Sequence, residues 1–284
     1  MIIIDFNGIA ISSVIVNRVE IKEDMIRHFV LNTIRKYNKQ FRKEYGQMVI
    51  ACDSSSWRRE VFPEYKYRRR NDRKDEKSDI DWTEVFRIIN GIREDLAANF
   101  PYIVLHEDRC EADDIIGVMA ESTQDFGRGE PVMIVSADKD FIQLQKWNNV
   151  KQYSPMTKKF IKEDNPVTYI TEHIFKGDSS DGVPNILSPD NTFVDSIRQS
   201  PVTKKKIQAW IDGIDDLKSV MDEETYRNYC RNKKLIDLSE TPNDLRENII
   251  NSYDNTKPAH KMKVLNYLIK NRMKMLIESV EEFY

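Results

Sequence analysis

Seven carboxylates stand at or just beyond the ends of short apolar runs. Asp5 closes Ile2-Ile3-Ile4, and Asp53 follows Met48-Val49-Ile50-Ala51-Cys52. Glu111, Asp113 and Asp114 come soon after Tyr102-Ile103-Val104-Leu105, and Asp138 and Asp140 follow Ile134-Val135. Any one of them has a bland account as a turn former, a helix N-cap or an acid offsetting a helix dipole. Together they do not. The carboxyl ends of parallel strands lie on one edge of a sheet, so like charges would converge there, at a cost of several kcal/mol if buried without compensation. A divalent cation removes the conflict. Oxygen donors without Cys or His suit Mg²⁺, or Mn²⁺ as a substitute, better than zinc. Mg²⁺ retains waters and works with phosphates, which implies phosphoryl transfer. More acids than one ion needs point to two ions, about 4 Å apart, serving the attacking and leaving oxygens of an in-line displacement.

The elements that position these acids read as an alternating β/α chain. Ile2–Asp5 is a buried-type strand, with Asn7-Gly8 as a turn. Ile26, Phe29, Val30, Ile34, Tyr37 and Phe41 recur at helical spacing, and Gly46 is a plausible stop before the second strand. This βαβ opening favours a parallel sheet. Asp81-x-x-Glu84 resembles a capping box for a helix through Leu96, and Glu111 opens another through about Glu121. Val150 to Ile161 reads as a short hairpin-like appendage. From about Val167 the pattern becomes helices joined by polar turns. The expected fold is therefore α/β, a mostly parallel sheet flanked by helices over 1–165, with a helical region over 166–284. Val264 to Tyr284 reads as an amphipathic helix with Leu265, Leu268, Ile269 and Met273 on one side. Core packing is its default, and a partner-binding tail ending Glu281-Glu282-Phe283-Tyr284 is the rarer reading.

Forty per cent hydrophobic and 32% charged residues over 284 positions suit a soluble protein with a sizeable core. No apolar run approaches a membrane span, and Met1-Ile2-Ile3-Ile4 is too short for a signal-peptide core. Cys52, Cys110 and Cys230 lack metal spacing and read as reduced thiols in a cytoplasm. Between Arg58 and Lys74 eight basic residues face three acidic ones, with Trp57, Phe62, Tyr65 and Tyr67 interleaved. Such a segment can neutralise phosphate and stack on an unpaired base; a solvated charged loop is the alternative. The polar run from Asn71 to Asp79 is expected to be mobile without a partner.

Taken in order, these residues resemble the 5′→3′ exonuclease and flap endonuclease superfamily, most closely the ribonuclease H branch of the T-even bacteriophages. The likeness runs from Ile2-Ile3-Ile4-Asp5 to about Tyr253. It rests on Glu111-Ala112-Asp113-Asp114, Ser136-Ala137-Asp138-Lys139-Asp140-Phe141, Val150-Lys151-Gln152-Tyr153-Ser154-Pro155-Met156 and Gly177-Asp178-x-x-Asp181. The resemblance implies that Asp5, Asp53, Glu111, Asp113 and Asp138 surround one metal ion and that Asp140, Asp178 and Asp181 surround a second. Asp114 would support the first set. Lys66 and Arg69 would be the phosphate-contacting pair at the base of a helical arch over about 58–80, catalytic together with Asp138. Arg58, Arg59, Arg68 and Arg70 would join them in attracting nucleic acid, as would Arg73 and Lys74. Gly177 to Pro184 occupies the place of a helix–three-turn–helix that grips duplex backbone, with Lys204, Lys205 and Lys206 as further phosphate contacts or simply an exposed helix face. After Pro184 the chain reads Asn185-Ile186-Leu187-Ser188-Pro189, without the usual Gly-Ile-Gly turn, which puts potassium binding there in doubt. Removing the eight implied ligand acids turns the net charge of −3 into +5, so the total does not argue against a nucleic-acid partner.

The function implied is a Mg²⁺-dependent, structure-specific 5′→3′ nuclease acting on duplex and flap DNA and RNA·DNA hybrids, as in removing RNA primers from lagging-strand fragments. A monomer in the cytoplasm of a phage-infected bacterium is expected, with no membrane association. A single-strand DNA-binding protein and a sliding clamp are the expected protein partners, although no clear clamp motif is present. A PIN-like single-strand endoribonuclease would share the acids but would need neither basic arch nor helical half. A dehalogenase-type phosphatase would want Asp-x-Asp after the first strand, which Asp5-Phe6-Asn7 fails. A non-catalytic DNA-binding replisome protein would not require the acids to be complete.

Overall fold

A computed structural model describes residues 1–17, 22–72 and 80–284. In chain order its main elements are β1 (Ile2–Asp5), α1 (Phe6–Asn17), α2 (Glu23–Tyr45), β2 (Met48–Ala51), α3 (Arg58–Val61), α4 (Tyr67–Asp72), α5 (Trp82–Asn99), β3 (Ile103–Leu105) and α6 (Ala112–Ser122). There follow β4 (Val132–Val135), β5 (Val150–Ser154), β6 (Lys159–Ile161), α7 (Pro166–Lys176), α8 (Lys204–Asp212), α9 (Leu217–Val220), α10 (Glu223–Ile236), α11 (Asn243–Asn255), α12 (Met262–Lys270) and α13 (Lys274–Ile277). Arg73, Lys74 and the remainder of the charge run to Asp79 lie outside the described residues.

The chain divides into two compact units. One comprises Met1–Ser55, Ile80–Lys162 and Asn243–Tyr284, the other Ser56–Asp79 and Glu163–Pro242. This grouping differs from a single division near 165, and packing explains both exchanges. Phe62 and Tyr65, from the basic segment, are buried with Ile174, Val183, Leu235 and Ile236 of the helical unit. Val264, Tyr267, Leu268, Leu276 and Phe283 belong to the core of the α/β unit.

In the α/β unit the described strands form one sheet, ordered β3-β2-β1-β4-β5-β6, parallel except for β5–β6. The Val150–Ile161 hairpin is therefore no appendage. β5 extends the sheet in parallel with β4, and only β6 turns back on it. Ile2, Ile4, Met48, Ile50, Met133 and Val135 share a core with α2 and α5. The alternate residues Ile3, Val49 and Ile134 are fully buried on the opposite face, and α6 packs against β1 and β2. Burial on both faces is why these strands read as continuous apolar runs. Asn7-Gly8 is the first turn of α1 and not a loop turn. Asp81 caps α5 through the Glu84 amide (3.1 Å), while the Glu84 carboxylate turns to Arg87.

The C-terminal stretch is broken rather than one helix: α12, α13 and a 3₁₀ turn at Val280–Phe283. Val264, Tyr267, Leu268 and Met273 are buried, whereas Leu265 and Ile269 are exposed, so the apolar face is shifted from the expected one. Phe283 is fully buried against Phe100, and Glu282 pairs with Arg35 and Lys39 of α2. These contacts make the tail part of the core and overturn its reading as a free partner-binding segment.

Candidate metal centre and phosphate-binding residues

Strand register brings the acids of the α/β unit to one edge. Ile4 pairs with Ile50 on one side and Val135 on the other, and Ala51 pairs with Leu105. Asp5, Asp53, the 111–114 segment and Ser136–Asp140 therefore all leave the sheet at its carboxyl end.

Asp5 is held at both oxygens. Its Oδ1 accepts the Gly8 N–H (3.0 Å) and its Oδ2 accepts the Ser136 hydroxyl (2.8 Å). A Cβ at residue 8 would lie 2.5 Å from Asp5 Oδ2, so glycine is needed there to make room for the carboxylate. Ser136 Oγ also accepts the Asp138 N–H (3.1 Å), and Asp138 Oδ1 accepts the Asp140 N–H (3.0 Å), capping the 3₁₀ turn Lys139–Lys146. Beneath this chain the buried Gln152 side chain of β5 donates to the carbonyls of Ser136 (3.1 Å) and Asp138 (2.5 Å). Asp53 Oδ1 accepts the Ala112 N–H (2.7 Å), the first amide of α6. Asp114 is fully buried and accepts the Glu111 N–H (2.9 Å), which makes it a support for Glu111. Glu111 is buried, Asp5, Asp113 and Asp140 are half-buried, and Asp53 and Asp138 are exposed.

The donor set at this edge consists of carboxylate oxygens, which fits a hard divalent cation. Cys52, next to Asp53 in the chain, is buried, and burial pushes its thiol pKa up. Sequence reasoning overlooked Gly8 and Gln152 as supports. A polar residue within the otherwise strand-like Val150–Ser154 was the available signal for Gln152.

In the helical unit, Lys66 and Arg69 converge on Asp181. Lys66 Nζ is 3.3 Å from Asp181 Oδ2 and Arg69 is 3.4 Å from Oδ1, while the Tyr65 hydroxyl donates to Oδ2 (2.7 Å). The Lys66 N–H donates to the Asp181 carbonyl (2.7 Å), with Lys66 in the left-handed region at φ 55°. The proposed phosphate pair is thus anchored by a proposed metal ligand. Asp178 Oδ1 accepts from the amide and hydroxyl of Ser180 (both 2.7 Å), and His173 Nε2, which sequence reasoning did not single out, lies 3.9 Å from Asp178 Oδ2.

Arg58 is a correction. It is 2% exposed, donates from Nε to the Leu235 carbonyl (2.8 Å) and stacks on Trp57, so it is a structural cation and not a nucleic-acid contact. Arg59, Arg68 and Arg69 are exposed, although Arg68 donates to the Phe193 carbonyl (3.0 Å); Arg70 is half-buried and donates to the Pro63 carbonyl (2.8 Å). Lys204, Lys205 and Lys206 are exposed in the first turn of α8, where their charge opposes the helix dipole. The carbonyls after Val183 already have donors: Arg231 reaches Pro184 and Asn185, Asn232 reaches Pro184, and Asn228 reaches Ile186.

Fold and site together fit the class of divalent-metal-dependent enzymes built on a mostly parallel α/β sheet. The family described as 5′-3′ exonuclease, N-terminal resolvase-like domain, matches residues 14–174, and that described as T4 RNase H, C terminal, matches residues 165–283. The ribonuclease H of Enterobacteria phage T4 is 32% identical over 295 residues, spanning 99% of this chain and 95% of that protein. A 5′-3′ exonuclease of Buchnera aphidicola is 32% identical over 169 residues, 55% of this chain and 53% of that protein. The fold is shared with a zinc-bound bacteriophage T5 5′-exonuclease (TM-score 0.60, 15% identity, 90% of this chain and 98% of that one). It is also shared with the T5 flap endonuclease in a pseudo-enzyme–product complex with DNA and metal ions (TM-score 0.59, 16% identity, 89% and 99%). The chain belongs to the 5′→3′ exonuclease family and is a metal-dependent 5′→3′ nuclease, a phosphodiester hydrolase.

Proposed function

We propose that this nuclease uses two Mg²⁺ ions to cut structured substrates from their 5′ ends, acting on duplex and flap DNA and on RNA·DNA hybrids. Its task would be to remove RNA primers and adjacent DNA from lagging-strand fragments in phage-type replication. The observation that carries the reading is the hydrogen-bonded series Asp5–Ser136–Asp138–Asp140 at the sheet edge. It presents carboxylates in fixed poses where each would otherwise repel the next. Asp5, Asp53, Glu111, Asp113 and Asp138 hold one ion directly or through water. Asp140, Asp178 and Asp181 are assigned to the second by the family pattern. Bound divalent ions would supply Lewis acidity at the scissile phosphate and lower the pKa of an attacking water. Lys66 and Arg69 offset phosphate charge, with Asp181 and Tyr65 holding them in place. Arg59, Arg68, Arg70 and Lys204 to Lys206 contribute backbone attraction. The enzyme would act as a monomer in the cytoplasm of an infected bacterium, alongside a single-strand DNA-binding protein and a sliding clamp.

The test uses a 5′-labelled flapped duplex and an RNA·DNA hybrid, with and without Mg²⁺, for wild type and Asp138→Asn. Wild type should cut both only with Mg²⁺, and Asp138→Asn should bind without cutting. A wild type that binds both and cuts neither refutes the reading, and cleavage of single-stranded RNA alone would favour an endoribonuclease. Lys66→Ala should slow cleavage far more than it weakens binding; equal losses would make Lys66 a generic phosphate contact.

A further inference from the structure

A cavity of about 200 Å³ opens beside the acids of the α/β unit, lined by Asp5 and Asp138 together with Gly8, Ile9, Ser12, Ser136, Ala137, Pro155 and Met156. Its two carboxylates belong to the ligand set just described. The rest of the lining is apolar or hydroxyl-bearing, and it includes neither Lys nor Arg. A phosphate would meet only negative charge there, so the cavity suits a neutral group attached to one. At this size it falls below the roughly 300–1,000 Å³ of drug-sized pockets and suits a single sugar or base.

Asp5, Gly8, Ile9 and Ser12 come to the cavity because α1 starts directly after Asp5, which puts residues three and four apart on one face. The Ser12 hydroxyl donates to the Ile9 carbonyl (2.9 Å), so what its oxygen offers an incoming group is an acceptor. Across the cavity Met156 is 73% exposed in the β5–β6 turn, a polarizable side chain able to pack on a flat ring. A ribose 2′-hydroxyl is a donor that deoxyribose lacks.

We propose that this cavity receives the sugar of the nucleotide next to the scissile phosphate, with its base at the Met156 rim, and that Ser12 is a specificity-determining residue that accepts a hydrogen bond from the ribose 2′-hydroxyl. The inference rests on the nuclease reading above and adds a basis for favouring RNA. It requires only that a phosphodiester held through divalent ions at Asp5 and Asp138 carry its neighbouring sugar into the adjoining space.

The experiment compares two duplexes of identical sequence, one with a 5′ RNA segment and one all DNA, cleaved by wild type and Ser12→Ala in Mg²⁺. Loss of one neutral hydrogen bond should lower the RNA-to-DNA ratio of kcat/KM roughly three- to tenfold. A third duplex carries a single 2′-deoxy nucleotide beside the cut. It should impose a similar penalty on wild type and little further penalty on Ser12→Ala. Binding measured by fluorescence anisotropy in an Asp138→Asn background, with and without Ser12→Ala, should show the same shift in preference without turnover. Wild-type cleavage of both duplexes with an unchanged ratio in Ser12→Ala overturns the inference alone. A wild type that cuts neither duplex overturns the nuclease reading and this inference with it.

Discussion

At the scale of single residues, the site depends on groups that are not themselves ligands. Gly8 shows this most sharply. Alanine is the better helix former by about 1 kcal/mol, yet its Cβ would meet Asp5 Oδ2 at 2.5 Å. Gly8→Ala should therefore fold normally by circular dichroism while losing about 10–100-fold in Mn²⁺ affinity or in cleavage rate, as is usual when a ligand's support is disturbed. Unchanged affinity and rate would mean that Asp5 can swing aside at no cost. Residue types alone singled out the carboxylates as candidates, because a strand-final acid is a local signal. They did not reveal that Arg58 is buried beneath Leu235, since an arginine in a basic run looks the same whether it faces solvent or a carbonyl.

At the scale of elements, α10 holds the polar turn after Gly177 through buried amides. Asn232 is fully buried and donates to the carbonyls of Ile174 and Pro184, both at 2.8 Å. Asn228, 1% exposed, donates to the Ile186 carbonyl at 3.0 Å. Gly177 completes the turn at φ 68°, where a Cβ would collide with the Pro184 backbone at 2.5 Å. Asn232→Ala takes the side-chain donor from the Ile174 carbonyl, while Pro184 keeps Arg231 (3.0 Å), and should cost about 1–3 kcal/mol, read as a lower urea midpoint. A loss below about 0.5 kcal/mol would show that water reaches the Ile174 carbonyl. The helices themselves were legible from apolar spacing, as in α2 and α5. Neither the break between α12 and α13 nor the recruitment of β5 into the sheet was legible, because both depend on neighbours far away in sequence.

At the scale of the whole molecule, two groups of the α/β unit give stability a pH dependence of opposite sign. The hydrogen bond from Lys39, helped by Arg35, holds Glu282 below the ordinary glutamate range, and burial pushes Tyr37 up to about 12. The stability from Glu282 is present above its unfolded pKa and is lost as pH falls through the lowered folded value. That from Tyr37 is present below its unfolded pKa and is lost as pH rises toward about 12. Urea midpoints should fall on both sides of neutrality, with Glu282→Gln flattening the acid side and Tyr37→Phe the alkaline side. An acid limb left unchanged by Glu282→Gln would shift the effect to other carboxylates, with Glu23, which Arg87 and Arg27 also hold low, the first to examine.

The sequence by itself determined the parallel α/β class, the strands that end in acids and the family, and it proposed those acids as metal ligands. All of these are written in short-range periodicity and in ordered motifs. Tertiary structure decided how each carboxylate is aimed. Ser136 reaches Asp5 across 131 positions of chain, and Gln152 supports Asp138 from the next strand. It also decided that the basic segment packs with the helical unit through Phe62 and Tyr65, and that Phe283 closes a core. The physical reason is the same in each case. Backbone periodicity is local and leaves a pattern in the chain, whereas a hydrogen bond or packing contact between distant segments exists only after the chain has closed on itself.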